Sequence, residues 1–268
     1  MAIPVILLNF LFPPPSSLFV TMMSVVGLVS LTNAGCMEIK GKHMQYSKFL
    51  NVGVAKKKNY TKLSSRNGML IVYTPSFLVG LGSLLVFPDQ DLRFVLVASA
   101  LTTHFIKRVL EVLFLHKYSG SMPLESAIII PLSYTFSTAT MIYAQYLSKD
   151  FPEPSVDLKY FGIGLLTIGI LGNFYHHYLL ANLRKEGDKE YKIPRGGLFD
   201  WVICPHYLFE ILEYIGISCM SQALYAFVFT LGTTLYLTGR SYATREWYIS
   251  KFGKLFPKEV KAIIPYVF

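Results

Sequence analysis

Along the chain, apolar positions do not alternate with polar ones; they gather into long blocks separated by short polar connections. Seven blocks stand out: Ser17–Met37, Met69–Phe87, Leu92–Leu115, Leu124–Leu147, Tyr160–Leu183, Leu198–Cys219 and Gln222–Gly239. A helix needs about 20 predominantly apolar residues to cross the hydrocarbon core of a bilayer, and each block comes close to that. The pattern predicts an all-α, polytopic membrane protein with seven transmembrane helices. A shorter run, Ile3–Phe12, ends at Pro13-Pro14-Pro15, which cannot continue a helix, so it reads as an interfacial segment ahead of the first span. No strand pattern and no internal repeat accompanies these blocks.

Composition agrees. Of 268 residues, 53% are apolar and 15% charged, with a mean hydropathy of +0.43, whereas soluble domains carry about 25% charged residues. A soluble enzyme built on one aqueous core is excluded. Cys36, Cys204 and Cys219 are too few, and lack the C-x-x-C spacing, for a disulfide framework or a thiolate zinc site. The start, Met1-Ala2-Ile3-Pro4, lacks the basic region of a signal peptide, so the first hydrophobic block is expected to stay in the protein.

The net charge of +9 could suggest nucleic acid, but its distribution follows the predicted spans. Of the 25 Lys and Arg, 20 fall on one side, in Glu38–Gly68, at Lys117, in Arg184–Arg195 and in Arg240–Phe268. The positive-inside rule makes that side cytoplasmic, with the N-terminus lumenal and the C-terminus cytoplasmic. Lys56-Lys57-Lys58 reads as a solvated flank that fixes this topology, with a contact for anionic lipid headgroups as the alternative.

Ionisable residues inside the blocks need a partner or a task, because each costs at least about 2.5–3.5 kcal/mol to insert. His104, Arg108 and Glu111 recur at helical spacing on the third block, with Lys107 alongside. Asn173, His176, His177 and Arg184 do so on the fifth, and His206, Glu210 and Glu213 on the sixth. All lie toward the predicted cytoplasmic ends and are expected to line one cavity. Adjacent histidines point apart on a helix, and no H-x-x-x-H or H-E-x-x-H occurs, so no metal site is expected. Nor does a G-x-G-x-x-G follow a strand, which excludes a Rossmann cradle.

The order Gly172-Asn173…His176, Leu183-Arg184, Tyr191…Ile193-Pro194-Arg195-Gly196-Gly197-Leu198-Phe199, Pro205-His206-Tyr207…Glu210 and Lys261…Pro265 resembles the C-terminal domain of the steroid 5α-reductase (3-oxo-5α-steroid 4-dehydrogenase) family. His104-Phe105-Ile106-Lys107-Arg108, Leu115-His116-Lys117-Tyr118 and Met122-Pro123-Leu124 are similar to its trans-2-enoyl-CoA reductase branch. The resemblance implies a multi-pass enzyme of the endoplasmic reticulum membrane that uses NADPH to reduce a carbon–carbon double bond conjugated to a carbonyl. It divides the chain into residues 1–150, helices one to four on the substrate side, and 151–268, helices five to seven with the tail on the NADPH side.

Residue by residue, the resemblance places the dinucleotide on Asn173, Arg184, Tyr191, Arg195, His206, Glu210, Arg240 and Tyr248, with Glu210 at the nicotinamide carboxamide. His176 and Arg108 join this cofactor set. Arg184 and Arg195 can neutralise phosphate, and Gly196-Gly197 allows a tight turn into a sixth helix beginning at Leu198, whose start can meet a phosphate. Three family positions differ: a Glu before Thr74-Pro75 is Tyr73, a His-Tyr pair is His104-Phe105, and a tail His is Thr244. A phenol remains a good hydrogen-bond donor at neutral pH, so the candidate catalytic residues are Tyr207 first, in the Pro-His step that carries the enoyl-CoA reductase tyrosine, then Tyr73, with His104.

The leading expectation is a 3-oxo-Δ4-steroid 5α-reductase. The first span begins too near Met1 for the extra N-terminal domain usual in enoyl-CoA reductases. A trans-2-enoyl-CoA reductase of very-long-chain fatty acid elongation is the alternative, polyprenol reduction a weaker one. A non-catalytic sterol-binding membrane protein is the reading from another class. Expected partners are a lipid-soluble substrate and the bilayer, with neither nucleic acid nor metal.

Overall fold

A computed structural model describes residues 5–50, 52, 61–87, 91–183 and 190–268. Among the described residues, seven long helices follow a one-turn helix, α1 (Val5–Leu8): α2 (Leu18–Ile39), α3 (Ser65–Val86), α4 (Leu92–Leu110), α5 (Leu124–Leu147), α6 (Lys159–Asn182), α7 (Pro205–Ser221) and α8 (Leu224–Phe252). Local chemistry starts them. Ser17, Ser64 and Asp91 accept from the amides of Val20, Asn67 and Phe94, and Pro205 opens α7 at a position whose N–H would have no helical partner. Large side chains such as Leu18, Val25 and Val29 on α2 and Leu85 on α3 face outward, a surface that suits lipid.

The chain is mostly helical and is a multi-pass membrane protein. By length and apolarity α2, α3 and α5 are able to cross a bilayer. The other four long helices fall short of that measure because they carry the polar residues that meet inside the bundle, or, in α7, because of length. Two helix bounds differ from expectation. The sixth helix begins at Pro205 and not at Leu198, since Gly196 and Gly197, at φ +86° and +54°, lead into a 3-10 turn over Gly197–Asp200. The last helix runs on past Gly239 to Phe252, because Arg240 and its neighbours are buried by partners and do not end it.

One expectation is corrected. The chain does contain strands: β1 (Lys62–Ser64) pairs antiparallel with β2 (Ser121–Pro123), with Leu63 opposite Met122. Three residues of each are too few to leave a periodic signal in sequence. The end of the N-terminal run is tied into the fold. Leu11 and Phe12 are buried, and the Phe12 amide donates to the carbonyl of Gln222 at 2.9 Å. A partner from the far end of the chain captures it.

Close helix approaches set the frame. At Gly35 on α2 an added Cβ would lie 2.6 Å from the Leu235 carbonyl oxygen of α8, and at Gly169 on α6 it would lie 2.7 Å from the Glu213 nitrogen of α7. Small residues at such crossings let membrane helices pack backbone to backbone. The α6–α7 contact brings the two polar faces of those helices together.

Candidate active site

Helices α4, α6 and α7 satisfy one another's buried polar groups. His104 Nδ1 lies 2.6 Å from Glu213 Oε2, and Lys107 donates to Asn173 Oδ1 while standing 3.5 Å from Glu213 Oε1. Asn173 Nδ2 donates to the His206 carbonyl at 2.7 Å. Just beyond α4, Glu111–Leu115 widen into a π turn, which turns Glu111 toward Arg108 (Nη1 to Oε2, 2.5 Å) and toward His177 (3.1 Å). Such turns inside helices occur often at functional sites. Arg108 Nη1 also donates to His177 Nδ1 at 2.9 Å, and its Nη2 donates to the Tyr73 hydroxyl at 2.7 Å.

A cavity of about 330 Å³ opens against one side of this network. Tyr73 (α3), Arg108 (α4), Tyr134 (α5), His206, Tyr207 and Glu210 (α7), and Tyr236 and Tyr248 (α8) line it, with Tyr46, Lys48, His116, Tyr118 and Tyr191 from connecting segments. Side chains that line it are incompletely satisfied among the described residues. His206 Nδ1 and Thr244 Oγ1 are buried without a hydrogen-bond partner, and the buried Glu210 carboxylate receives no hydrogen bond. Buried groups of this kind are normally paired, so an occupant of the cavity is the natural source of their missing partners.

The sequence-derived candidates divide. Arg108, Tyr73, Tyr191, His206, Tyr207, Glu210 and Tyr248 reach the cavity. His104 and Asn173 lie behind it, held by Glu213, Lys107 and the α7 backbone. His176 bonds the Gly172 carbonyl at 2.6 Å and accepts from the Leu198 amide at 3.0 Å. That amide, expected at a helix start facing a phosphate, is therefore already engaged. Arg195 is exposed at the surface. Arg240 is buried, donates to Glu38 at 2.6 Å and is sandwiched between the Tyr46 and Phe49 rings at 4.4 and 4.0 Å. It fixes the segment that brings Tyr46 and Lys48 to the cavity. Arg184 lies outside the described residues, as do Lys56-Lys57-Lys58.

Tyr46, Lys48, Tyr134 and Tyr236 line the cavity without having been singled out from sequence. A tyrosine within an apolar block looks like any packed aromatic there, and Lys48 like one more loop charge.

At the rim, burial with the nearby Arg108 charge pushes His116 down to about 4, against a weaker opposing pull from Glu111. Burial raises Tyr118. Both are neutral at physiological pH. Glu111, His116 and His177 also bring ligand-type atoms within 4.8 Å of one another, a grouping invisible to a spacing argument because it joins the end of α4 to α6, far apart in sequence. The Arg108 guanidinium, bonded to two of the three, already supplies the positive charge they surround.

The fold and the site thus define a class: a multi-pass helical membrane protein with a phenol-rich cavity between its helices and their connecting segments. Residues 122–268, more than half of the chain, match the family model described as 3-oxo-5-alpha-steroid 4-dehydrogenase, and the chain belongs to that family. It is 35% identical over 165 residues to a very-long-chain enoyl-CoA reductase of Dictyostelium discoideum, covering 61% of this chain and 55% of that protein. It is 42% identical over 107 residues to a steroid 5-alpha-reductase of Gossypium hirsutum (40% and 42% covered). Against 3-oxo-5-alpha-steroid 4-dehydrogenase 1 of Homo sapiens it is 43% identical over 107 residues (40% and 41%). The chain spans about half the length of the curated relatives it matches.

Proposed function

We propose that this protein is an NADPH-dependent reductase of a carbon–carbon double bond conjugated to a carbonyl, with a 3-oxo-Δ4 steroid as the leading substrate class. The observation that carries the reading is the juxtaposition, in one cavity, of Glu210 and His206 Nδ1, both lacking protein partners among the described residues, with the phenols of Tyr73 and Tyr207. NADPH, when bound, supplies the hydride. Glu210 suits the two N–H donors of a carboxamide, since an ionised carboxylate only accepts hydrogen bonds. His206 Nδ1 offers a further polar anchor. A phenol at the carbonyl stabilises the charge that develops on its oxygen as the β-carbon accepts hydride, with Tyr207 as first candidate and Tyr73 as second.

In this reading all seven long helices cross the endoplasmic reticulum membrane, with the Lys- and Arg-rich ends in the cytoplasm where NADPH is available. Helices α2–α5, within residues 1–150, form the substrate side, and α6–α8, within 151–268, the cofactor side. A second reading, reduction of a trans-2-enoyl-CoA, is favoured by Lys48, Lys117 and Lys192 around the cavity, cations suited to the phosphates of a CoA moiety.

NADPH consumption by the purified protein, offered a 3-oxo-Δ4 steroid and a trans-2-enoyl-CoA in parallel with products identified by mass, tests both. Steroid turnover supports the leading reading, and thioester turnover alone transfers it to the second. NADPH binding with neither substrate reduced counts against both and raises polyprenol reduction and the non-catalytic sterol-binding reading, and absence of NADPH binding favours the latter.

A further inference from the structure

We infer that the turn over residues 263–268, with Trp201 beside it, is an anchoring surface for phospholipid. It hooks back past the end of α8 and seats in the interface of the same bilayer that the helices cross. This surface goes beyond the reductase reading and is independent of any substrate; it rests only on the placement of α7 and α8 across the membrane.

After α8 ends at Phe252 the chain reverses. The Lys261 amide donates to the Trp201 carbonyl at 2.8 Å, and the amides of Ile203 and Cys204 donate to the carbonyls of Lys261 and Ala262 at 2.9 and 3.1 Å. Val202 and Lys261 thereby form a parallel bridge. Ile263 is then buried against Ile211 of α7 and Leu237 of α8, with Leu208 and Ile215 packed on the same cluster. Leu237 precedes Arg240, and Ile215 lies well inside α7. The segment has therefore come back from the helix ends to the depth of the apolar blocks.

Beyond Ile263 the side chains turn outward. Ile264, Tyr266, Val267 and Phe268 are exposed, Tyr266 and Val267 at 76% and 73%. Trp201 is half exposed and meets the Tyr266 ring with centroids 5.8 Å apart. Together they make a contiguous apolar patch of the kind that marks an interaction surface.

Three properties select a bilayer as the occupant. First, the turn pairs its own backbone: the Ile263 and Ile264 amides donate to the Phe268 main-chain oxygen at 2.8 and 2.7 Å, and the Val267 and Phe268 amides donate to the Ile264 carbonyl at 3.2 and 3.1 Å. A segment whose polar backbone is satisfied internally can leave water. Second, Tyr266 takes a left-handed backbone at φ +64°, costly for a bulky residue, which sets its phenol beside the Trp201 indole. Trp and Tyr are the side chains that concentrate at membrane–water interfaces. Third, charge is graded along the hook. The approach, residues 254–261, carries Lys254, Lys258 and Lys261 against Glu259, whereas Ala262 to Phe268 carries no charge. Cations suit headgroup phosphates, and the uncharged turn suits the layer beneath them.

The hook also backs the cavity. Tyr207, Tyr236 and Leu237 belong both to the cluster around Ile263 and to the cavity lining. Seating the hook braces the α7–α8 wall from the lipid side.

Single-tryptophan fluorescence of the full chain in phospholipid nanodiscs tests the surface. Trp201 and Trp247 are the two tryptophans of the chain. Trp247→Phe leaves Trp201 as one reporter. With Trp201→Phe added, Val267→Trp puts a second on the hook, and Leu231→Trp, on the exposed face of α8, serves as the membrane control. Both hook reporters should lose more emission to a nitroxide high on the lipid acyl chain than to one near the chain end, and should be shielded from aqueous iodide. Iodide quenching of either hook reporter without lipid quenching overturns the inference, and a Leu231→Trp reporter quenched by lipid in the same discs leaves the membrane placement standing. Shielding of the Val267→Trp reporter from both quenchers also overturns it, since a protein surface then covers the turn. A Leu231→Trp reporter open to iodide removes the membrane placement of α8 itself.

Discussion

Both ends of the helical bundle hold an arginine among polar partners, yet the two ends differ in what they leave unfinished. At the end opposite the cavity, Arg93 donates to the Met220 carbonyl (2.7 Å), to Gln222 Oε1 (2.9 Å) and to both oxygens of Glu153, and reaches Asp157 at 3.2 Å. Gln222, held at φ +50°, is equally saturated: its Oε1 also accepts from the Leu158 amide, and its Nε2 donates to the carbonyls of Phe10 and Val156. Every polar atom at this hub is used to tie four chain segments together. At the other end, Arg108 is as firmly bonded, but His206 Nδ1 and Glu210 beside it have no protein partner among the described residues. Saturation marks a structural knot, and incompleteness facing a cavity marks a site. That contrast can be broken by substitutions that ought to act on stability at one end and on ligand affinity at the other.

The largest effect is expected at the knot. Arg93→Ala should cost about 3 kcal/mol, the lower end for a broken buried pair, because Glu153 and Asp157 are half exposed and regain water. What is lost is packing and the partner of the Met220 carbonyl. Thermal unfolding in detergent should show a clear loss of stability, while NADPH affinity of the folded fraction stays at the wild-type value; a specific loss of affinity would show that the knot communicates with the cavity.

Glu210→Ala is the mirror experiment. Losing a charge-assisted hydrogen bond to the ligand should weaken NADPH binding by about 1.5–3 kcal/mol, roughly tenfold to a hundredfold, with little change in melting temperature since no protein donor is orphaned. Unchanged affinity would remove the cofactor role of α7.

This asymmetry explains how much could be read in advance. His104, Arg108, Glu111, His206, Glu210 and Glu213 are conspicuous in sequence because charge inside apolar blocks is costly, and helical spacing alone puts each set on one face. Which member of a set turns to the cavity is settled by neighbouring helices. His104 and Glu213 satisfy each other, and Glu38, far away in sequence, takes Arg240. Tyr134 left no signal at all, because an aromatic ring in an apolar block has the same appearance whether its hydroxyl meets a ligand or its ring merely packs. At the opposite end, the capture of Phe12 by Gln222 depends on a left-handed glutamine more than two hundred residues away, which no local pattern announces.

A smaller effect should link frame and site. An added methyl at Gly169 would press on Glu213 and on the Phe209 carbonyl of α7, at 2.6–2.9 Å, so Gly169→Ala should cost about 1–3 kcal/mol. Because α7 also carries His206 and Glu210, NADPH affinity should fall along with the melting temperature. Gly164→Ala, whose added methyl meets nothing within 4 Å, should change neither. Equal behaviour of the two variants would mean that the α6–α7 contact yields without moving the site.

The smallest effect concerns pH and returns to the cavity rim. His116 is held neutral by burial and by Arg108, with its folded pKa lowered to about 4 against about 6.5 for an unfolded chain. Between those values the unfolded state binds more protons than the folded state, so stability rises with pH across the window. The contribution is complete above pH 6.5 and is lost as pH falls toward 4, reaching about 1 kcal/mol of loss near pH 6. His116→Gln removes the titrating group while keeping a polar side chain of similar size, so its melting temperature should fall less steeply than that of wild type between pH 7 and 5. The knot offers no such window through a histidine, since Arg93 there meets carboxylates, a backbone carbonyl and a side-chain amide. If wild type and His116→Gln lose stability in parallel over that range, His116 is not the group that makes the cavity end acid-sensitive, and burial at the rim is looser than its surroundings suggest.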